Sequence, residues 1–276
     1  MAGRAGWGGL LRKAWQIEQA CGLAPVWQAR RQEDFATTGG PDLVFDPLAE
    51  PEALHAALGA ADAVLHLAGP VAGSPEHLAQ NSTLARAVVA AAGGKPALVA
   101  SSAAVYGAAP GPCVERQPLA PLSPYGEAKA AMERALAGAP GVCVLRIGNV
   151  AGADALFARP PGPEGRVLHI FPAGHGPRRS YIGPQALARA LARLVRLAVA
   201  GQPLPDCLNL ALPGVVGMEA LLAAAGESWR GLPAPEGAIE TVELDFGRAL
   251  ALGLVPDIPA SARAILDDLH ALRGGR

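Results

Sequence analysis

The sequence predicts an α/β protein built on a parallel sheet with helices on both faces, and two observations predict it. From residue 10 onward, helical stretches alternate with short apolar runs, the pattern that generates βαβ units. The runs themselves are almost continuously apolar, as strands covered on both sides must be.

Each element follows in order. "LLRKAWQIEQACG" reads as a helix closed by Gly22, "APVWQAR" as the strand after it, and "DLVFD" as a second strand. "EALHAALGAA" is a helix and "AVLHLAG" a third strand. "LAQNSTLARAVVAAAGG" is a helix with a glycine stop, and "PALVASS" another strand. A Pro-rich loop then leads to a helix bearing Tyr125 and to the strand "VCVLRIG". Beyond Gly148 the regularity weakens. The Pro- and Gly-rich stretch "ARPPGPEGRVLHIFPAGHGPRRS" is expected to form a loop or a small lobe. "GPQALARALARLVRLAVAG" restores a long helix, "CLNLA" reads as a last strand, and the remainder as short helices with one strand, "IETVELD".

Composition narrows the function. The longest apolar runs, such as "AVVAAAGG" and "LVRLAVAG", fall short of the roughly 18 to 20 residues a membrane span needs, so a soluble chain is expected. The opening "MAGRAGWGGLLRKAW" lacks a secretory signal pattern, and a cytoplasmic location is expected. A formal charge of −1 with dispersed basic residues offers no field for nucleic acid or an anionic membrane, leaving small molecules as the expected partners. Cys21, Cys113, Cys143 and Cys207 are scattered, without metal-ligand spacing or a disulfide framework, and no metal site is expected.

Gly3, Gly6 and Gly9 are spaced G-x-x-G-x-x-G and lead into a helix, a turn that lets a pyrophosphate approach the backbone and the positive helix end. Only Met1 and Ala2 precede it, where the fingerprint should follow a strand. The first strand is therefore missing from the pattern. The sequence predicts that the natural chain begins upstream with an apolar run, or that this is a variant with an altered cofactor turn.

In "SPYGEAKAAMERAL" one of three tyrosines and one of three lysines, Tyr125 and Lys129, stand four residues apart and so share one helix face. A tyrosine titrates near 10, so it serves as a base at neutral pH only where a cation stabilises the phenolate. The Y-x-x-x-K pair occurs together with "VLHLAG" (64–69), "SSAAVYG" (101–107) and "LRIGNVAG" (145–152).

On these motifs the chain resembles the extended short-chain dehydrogenases/reductases, the NAD-dependent epimerase/dehydratase family, over residues 3 to about 215. The resemblance implies a Rossmann-like doubly wound sheet with a small C-terminal substrate lobe. Its expected layout is a dinucleotide-binding domain over 1–150, a substrate-lobe insertion over 151–180, a helix and strand returning to the first domain over 181–212, and a C-terminal lobe over 213–276. It implies an NAD(P)-dependent epimerase, dehydratase or reductase acting on a sugar-like or other small hydroxyl or carbonyl substrate. Ser102 would bond the substrate oxygen, Tyr125 would exchange its proton, and Lys129 would hold the nicotinamide ribose.

By motif position, Asn81 would support the active site, and Leu67, Ala68 and Gly69 would line the cofactor. Asp46 would face the adenine, or serve as a turn residue before Pro47. Arg30 and Arg31, at the end of the second strand, favour NADP over NAD or belong to the solvated surface. Asn149 and Arg179 would contact substrate. Ser180 and Gln185 replace two aspartates of the nucleotide-sugar enzymes, which weakens that substrate class, although an arginine can clamp any carboxylate or phosphate. His169 and His175 read as structural or solvated. The resemblance leaves open a homodimer paired through the Tyr125 helix and its neighbour. The competing reading is a non-catalytic dinucleotide-binding or regulatory member of the same fold.

Overall fold

The computed structural model describes residues 7–17, 22–34, 38–158, 160–162 and 165–274. The first half comprises α1 (Trp7–Ile17), β1 (Gln28–Ala29), β2 (Leu43–Val44), α2 (Pro51–Gly59), β3 (Val64–His66), α3 (Pro75–Ala92), β4 (Ala97–Ser102), a 3₁₀ turn (Ala103–Tyr106), α4 (Pro124–Leu136) and β5 (Val142–Ile147). The second half comprises β6 (Asn149–Val150), β7 (Arg166–Ile170), β8 (Arg178–Arg179), β9 (Tyr181–Ile182), α5 (Pro184–Val199), β10 (Cys207–Leu210), β11 (Val216–Gly217), α6 (Met218–Ala224), β12 (Trp229–Pro233), β13 (Thr241–Val242), α7 (Gly247–Ala251) and α8 (Ala262–Gly274).

The central sheet is parallel throughout, in the order β3-β4-β5-β10. Side chains alternate across a strand, and β4 shows how one apolar run serves two faces. Leu98 and Ala100 pack with Leu11, Ala14 and Trp15 of α1 and with Leu187, Leu191 and Leu194 of α5. Ala97 and Val99 face the other way, against Ala85 of α3 and Met132 and Leu136 of α4. The α5 leucines recur at helical spacing and are fully buried, each contributing roughly 1.5–3 kcal/mol through burial. Trp15 adds a directional tie, donating its indole N–H to the Ala188 carbonyl at 2.6 Å.

Among the described residues β1 pairs only with β2, in a separate two-stranded parallel sheet of two residues each, shorter than the runs that the sequence marks as strands. This pair is mounted by side chains. Trp27 stacks obliquely on Trp15 with ring centroids 5.6 Å apart, and Phe45 packs with Leu54 of α2 and Val88 of α3. Lys95 fastens the end of α2, its ammonium donating to the carbonyls of Leu58, Gly59 and Ala61 at 2.8, 2.7 and 2.7 Å.

The Gly- and Pro-rich stretch expected to be a loop or lobe contains β7, which pairs in parallel with β12. Nearby, β8 lies between β11 and β13. No helix among the described residues is long and apolar enough to cross a membrane. Cys113, Cys143 and Cys207 are free thiols, burial pushing Cys143 and Cys207 up to about 12. Cys21 lies outside the described residues.

Candidate active site

The carboxyl ends of β3 and β4 and the start of α4 converge on one place. Ser102 ends β4, and its hydroxyl accepts from Ala104 N–H at 3.2 Å, capping the 3₁₀ turn. Helix α4 begins at Pro124, where the missing N–H is no loss, and the Ser123 hydroxyl accepts from Gly126 N–H at 3.1 Å. Gly126 lets this helix meet the turn: a Cβ there would lie 2.6 Å from the Ala104 carbonyl oxygen. That close approach seats Tyr125, the preceding residue, beside the Ser102 hydroxyl.

One turn along, Lys129 is 5% exposed and donates to the Ala100 carbonyl at 2.9 Å. Its ammonium lies 6.0 Å from the centre of the Tyr125 ring. Burial lowers Lys129 to about 8, opposed by the Glu133 carboxylate. Burial raises the Tyr125 phenol, opposed by the influence of the Ser102 hydroxyl, which lowers it.

Asn81, on α3, is fully buried; its amide donates to the carbonyls of Pro70 and Leu78, each at 2.9 Å. Its Oδ1 is buried without a hydrogen-bond partner among the described residues. This oxygen packs on Gly69, where a Cβ would also stand 3.7 Å from Lys129 Nζ. Leu67 is part-buried and Ala68 exposed beside it. The structure thus brings together Ser102, Tyr125, Lys129, Asn81 and Gly69.

Other positions lie apart. Arg30 and Arg31 are exposed directly after β1. The Asp46 carboxylate accepts from the N–H groups of Leu48 and Ala49 at 2.9 and 3.4 Å. Gly3 and Gly6 lie outside the described residues, while Gly9 is inside α1. Asn149, on β6, lies near Tyr181, whose hydroxyl donates to Asp154 Oδ2 at 2.7 Å. Arg179 donates to the carbonyls of Arg178, Glu240 and Ile239 at 2.8, 2.9 and 2.7 Å. Among the described residues none of its partners is a carboxylate. Ser180 donates to the Gly214 carbonyl at 2.9 Å and accepts from Leu244 N–H at 3.0 Å. His169 is exposed, and His175 pairs with Glu240 at 3.1 Å.

Two residues at the site escape the motif reading. His66, in the VLHLAG run, is 6% exposed, and burial with the nearby Lys129 charge lowers it to about 4. Glu133, four residues beyond Lys129, extends the tyrosine–lysine spacing along the same helix face.

A model of the NAD-dependent epimerase/dehydratase family matches residues 19–173, more than half of the chain. The chain belongs to that family. Epimerase/dehydratase structures share its fold. A UDP-glucose-4-epimerase from Stenotrophomonas maltophila, solved with NAD and formylated UDP-arabinopyranose, is 22% identical with a TM-score of 0.76, covering 98% of this chain and 96% of that one. The UDP-glucose 4-epimerase of Thermus thermophilus, in complex with NAD, is 22% identical with a TM-score of 0.71, over 99% and 98% of the two chains. The dTDP-glucose 4,6-dehydratase of Streptomyces venezuelae, solved with NAD, is 18% identical with a TM-score of 0.71, over 99% and 96%. No curated protein matches the chain in sequence.

Proposed function

We propose that this epimerase/dehydratase-family chain is an NAD(P)-dependent enzyme that interconverts a hydroxyl and a carbonyl on a small, sugar-like substrate. The observation that carries the reading is the convergence of Ser102, Tyr125 and Lys129 at the carboxyl end of β4. The family relatives solved with NAD and a sugar nucleotide support it.

The site fits a nicotinamide dinucleotide. Gly69 leaves bare backbone beside the unpartnered Oδ1 of Asn81, and the Lys129 ammonium has donors beyond its bond to Ala100. Lys129 and the Leu67–Gly69 backbone would hold the nicotinamide end, with Asn81 supporting them. Arg30 and Arg31 would offer a 2′-phosphate two cations, which favours NADP. A nicotinamide held there would supply the hydride exchange.

The chain's own groups handle the proton. Tyr125 Oη, beside Ser102, gives a proton to the substrate oxygen or takes one from it. Lys129 stabilises the phenolate form through its nearby charge. Ser102 orients the oxygen, and Asn149 forms part of the substrate wall. The Arg179 guanidinium, bonded to carbonyls, retains its positive charge for an anionic group on the substrate.

The test is calorimetric titration of the purified chain with NAD and NADP, followed by turnover assays on UDP-glucose and UDP-glucuronic acid. Mass spectrometry of small molecules that co-purify widens the substrate search. Tyr125→Phe should bind dinucleotide within about threefold of wild type and lose at least about a hundredfold in turnover, the scale of acid/base catalysis. Binding of neither dinucleotide, or full turnover by the Phe variant, would overturn the proposal.

A further inference from the structure

Beneath the tyrosine and lysine lies a buried charged assembly that the proposed chemistry does not use. Glu133 is 9% exposed and Arg146, on β5, is 6% exposed. Arg146 Nη2 donates to Glu133 Oε2 at 2.7 Å and Arg146 Nε to the same oxygen at 3.0 Å. Ser101 Oγ donates to Glu133 Oε1 at 2.5 Å. Arg146 Nη1 also donates to Tyr106 Oη at 2.8 Å and to the Glu115 carbonyl at 2.9 Å. The arginine therefore joins the catalytic helix, the turn after Ser102 and β5.

Tyr125, Lys129 and Glu133 follow at helical spacing on α4, and the last two are tied to β4, Lys129 through the Ala100 carbonyl and Glu133 through the Ser101 hydroxyl. We propose that Glu133 is a positioning residue: clamped by Arg146 and Ser101, its carboxylate fastens α4 to β4 and β5 and sets a negative charge one helical turn from the Lys129 ammonium. The inference rests on the role given above to Lys129.

Stability alone does not call for this pair. A buried ion pair is commonly replaced by apolar side chains without loss, because the desolvation cost offsets the attraction. A negative charge one helical turn from a buried ammonium acts where apolar groups cannot. The groups facing Lys129 are His66 from β3 and Tyr125 and Glu133 from α4, with Arg146 of β5 bound to Glu133. Strand β4 and helix α3 contribute neutral groups, the Ala100 carbonyl and the Asn81 amide. Burial and the lysine charge keep His66 neutral across the working range, so Glu133 supplies the compensating charge.

The chain contains three lysines, Lys13, Lys95 and Lys129, so side-chain carbon NMR of protein labelled at lysine resolves each titration, with Lys129→Arg as the assignment. Glu133→Gln should lower the Lys129 midpoint by at least about one pH unit, as expected for loss of a neighbouring opposite charge. Lys13 and Lys95 should not move. Glu133→Asp should restore most of the shift. Glu133→Met combined with Arg146→Met, which removes the pair without stranding a charge, should also lower the midpoint in a folded protein, by less than Glu133→Gln because a cation leaves with the carboxylate.

An unchanged midpoint in folded Glu133→Gln and in the double variant would overturn the inference, as would failure of both to fold, which would make the carboxylate a folding element only. Dinucleotide titration of Lys129→Ala reports separately. A shifted Glu133→Gln midpoint without any dinucleotide binding to wild type would sink the proposed function and leave this coupling standing.

Discussion

Gly69 and Asn81 are packed so closely that a Cβ on the glycine would overlap the asparagine Oδ1. The loop leaving β3 therefore rests on α3 with no room for a side chain. Gly69 also has a positive φ of 150°, which L side chains rarely adopt.

Gly69→Ala should consequently displace either the loop or Asn81. Overpacking of this kind costs roughly 1–3 kcal/mol, and dinucleotide affinity should fall at least about tenfold. Denaturant unfolding and calorimetric titration check the two effects. Wild-type values in both would mean that the contact is readily relieved.

The buried His66 imidazole gives a pH signature. Its folded-state value, about 4, lies below the ordinary 6.5, so between these values the unfolded chain binds the proton first. The stability contributed by neutral His66 is whole above about pH 6.5 and is lost as pH falls toward 4, below which it levels off. The full loss is on the order of 3 kcal/mol. His66→Gln should flatten urea-derived stability across this window. An equally steep slope in the variant would assign the acid sensitivity to other groups.

Arg30 and Arg31 decide cofactor preference if they meet a 2′-phosphate. Replacing both with Ser should weaken NADP by about 1.5–3 kcal/mol, the value of charge-assisted hydrogen bonds, and leave NAD nearly unchanged. Parallel titrations with the two dinucleotides measure this difference. Equal losses would return both residues to the solvated surface.

The legible parts of the sequence are those that local geometry controls. Helical spacing alone puts Tyr125 and Lys129 on one face, and the apolar runs of β4 and β5 announce buried strands. Arg146 sits inside the second of these runs and Glu133 inside an ordinary charged helix, so neither stands out. Their meeting depends on the parallel register that sets Ser101 beside Arg146. β7 is hidden by the surrounding Gly and Pro residues, and its partner, β12, lies about sixty residues downstream.

The separation of β1–β2 from the four-stranded sheet has a mechanical consequence. Among the described residues no backbone hydrogen bond crosses between them; side chains fasten the pair, among them Trp27 on Trp15, Phe45 against Leu54 and Val88, and Asp42 paired with Arg12 of α1. A ladder shared with β3 would make the two parts melt as one cooperative unit. Side-chain fastening instead lets the pair detach while β3, β4, β5 and β10 stay zipped. In native-state amide exchange, the N–H groups of Leu43 and Phe45 should open through a low-energy local event, whereas those of β4 and β5 should exchange only on global unfolding.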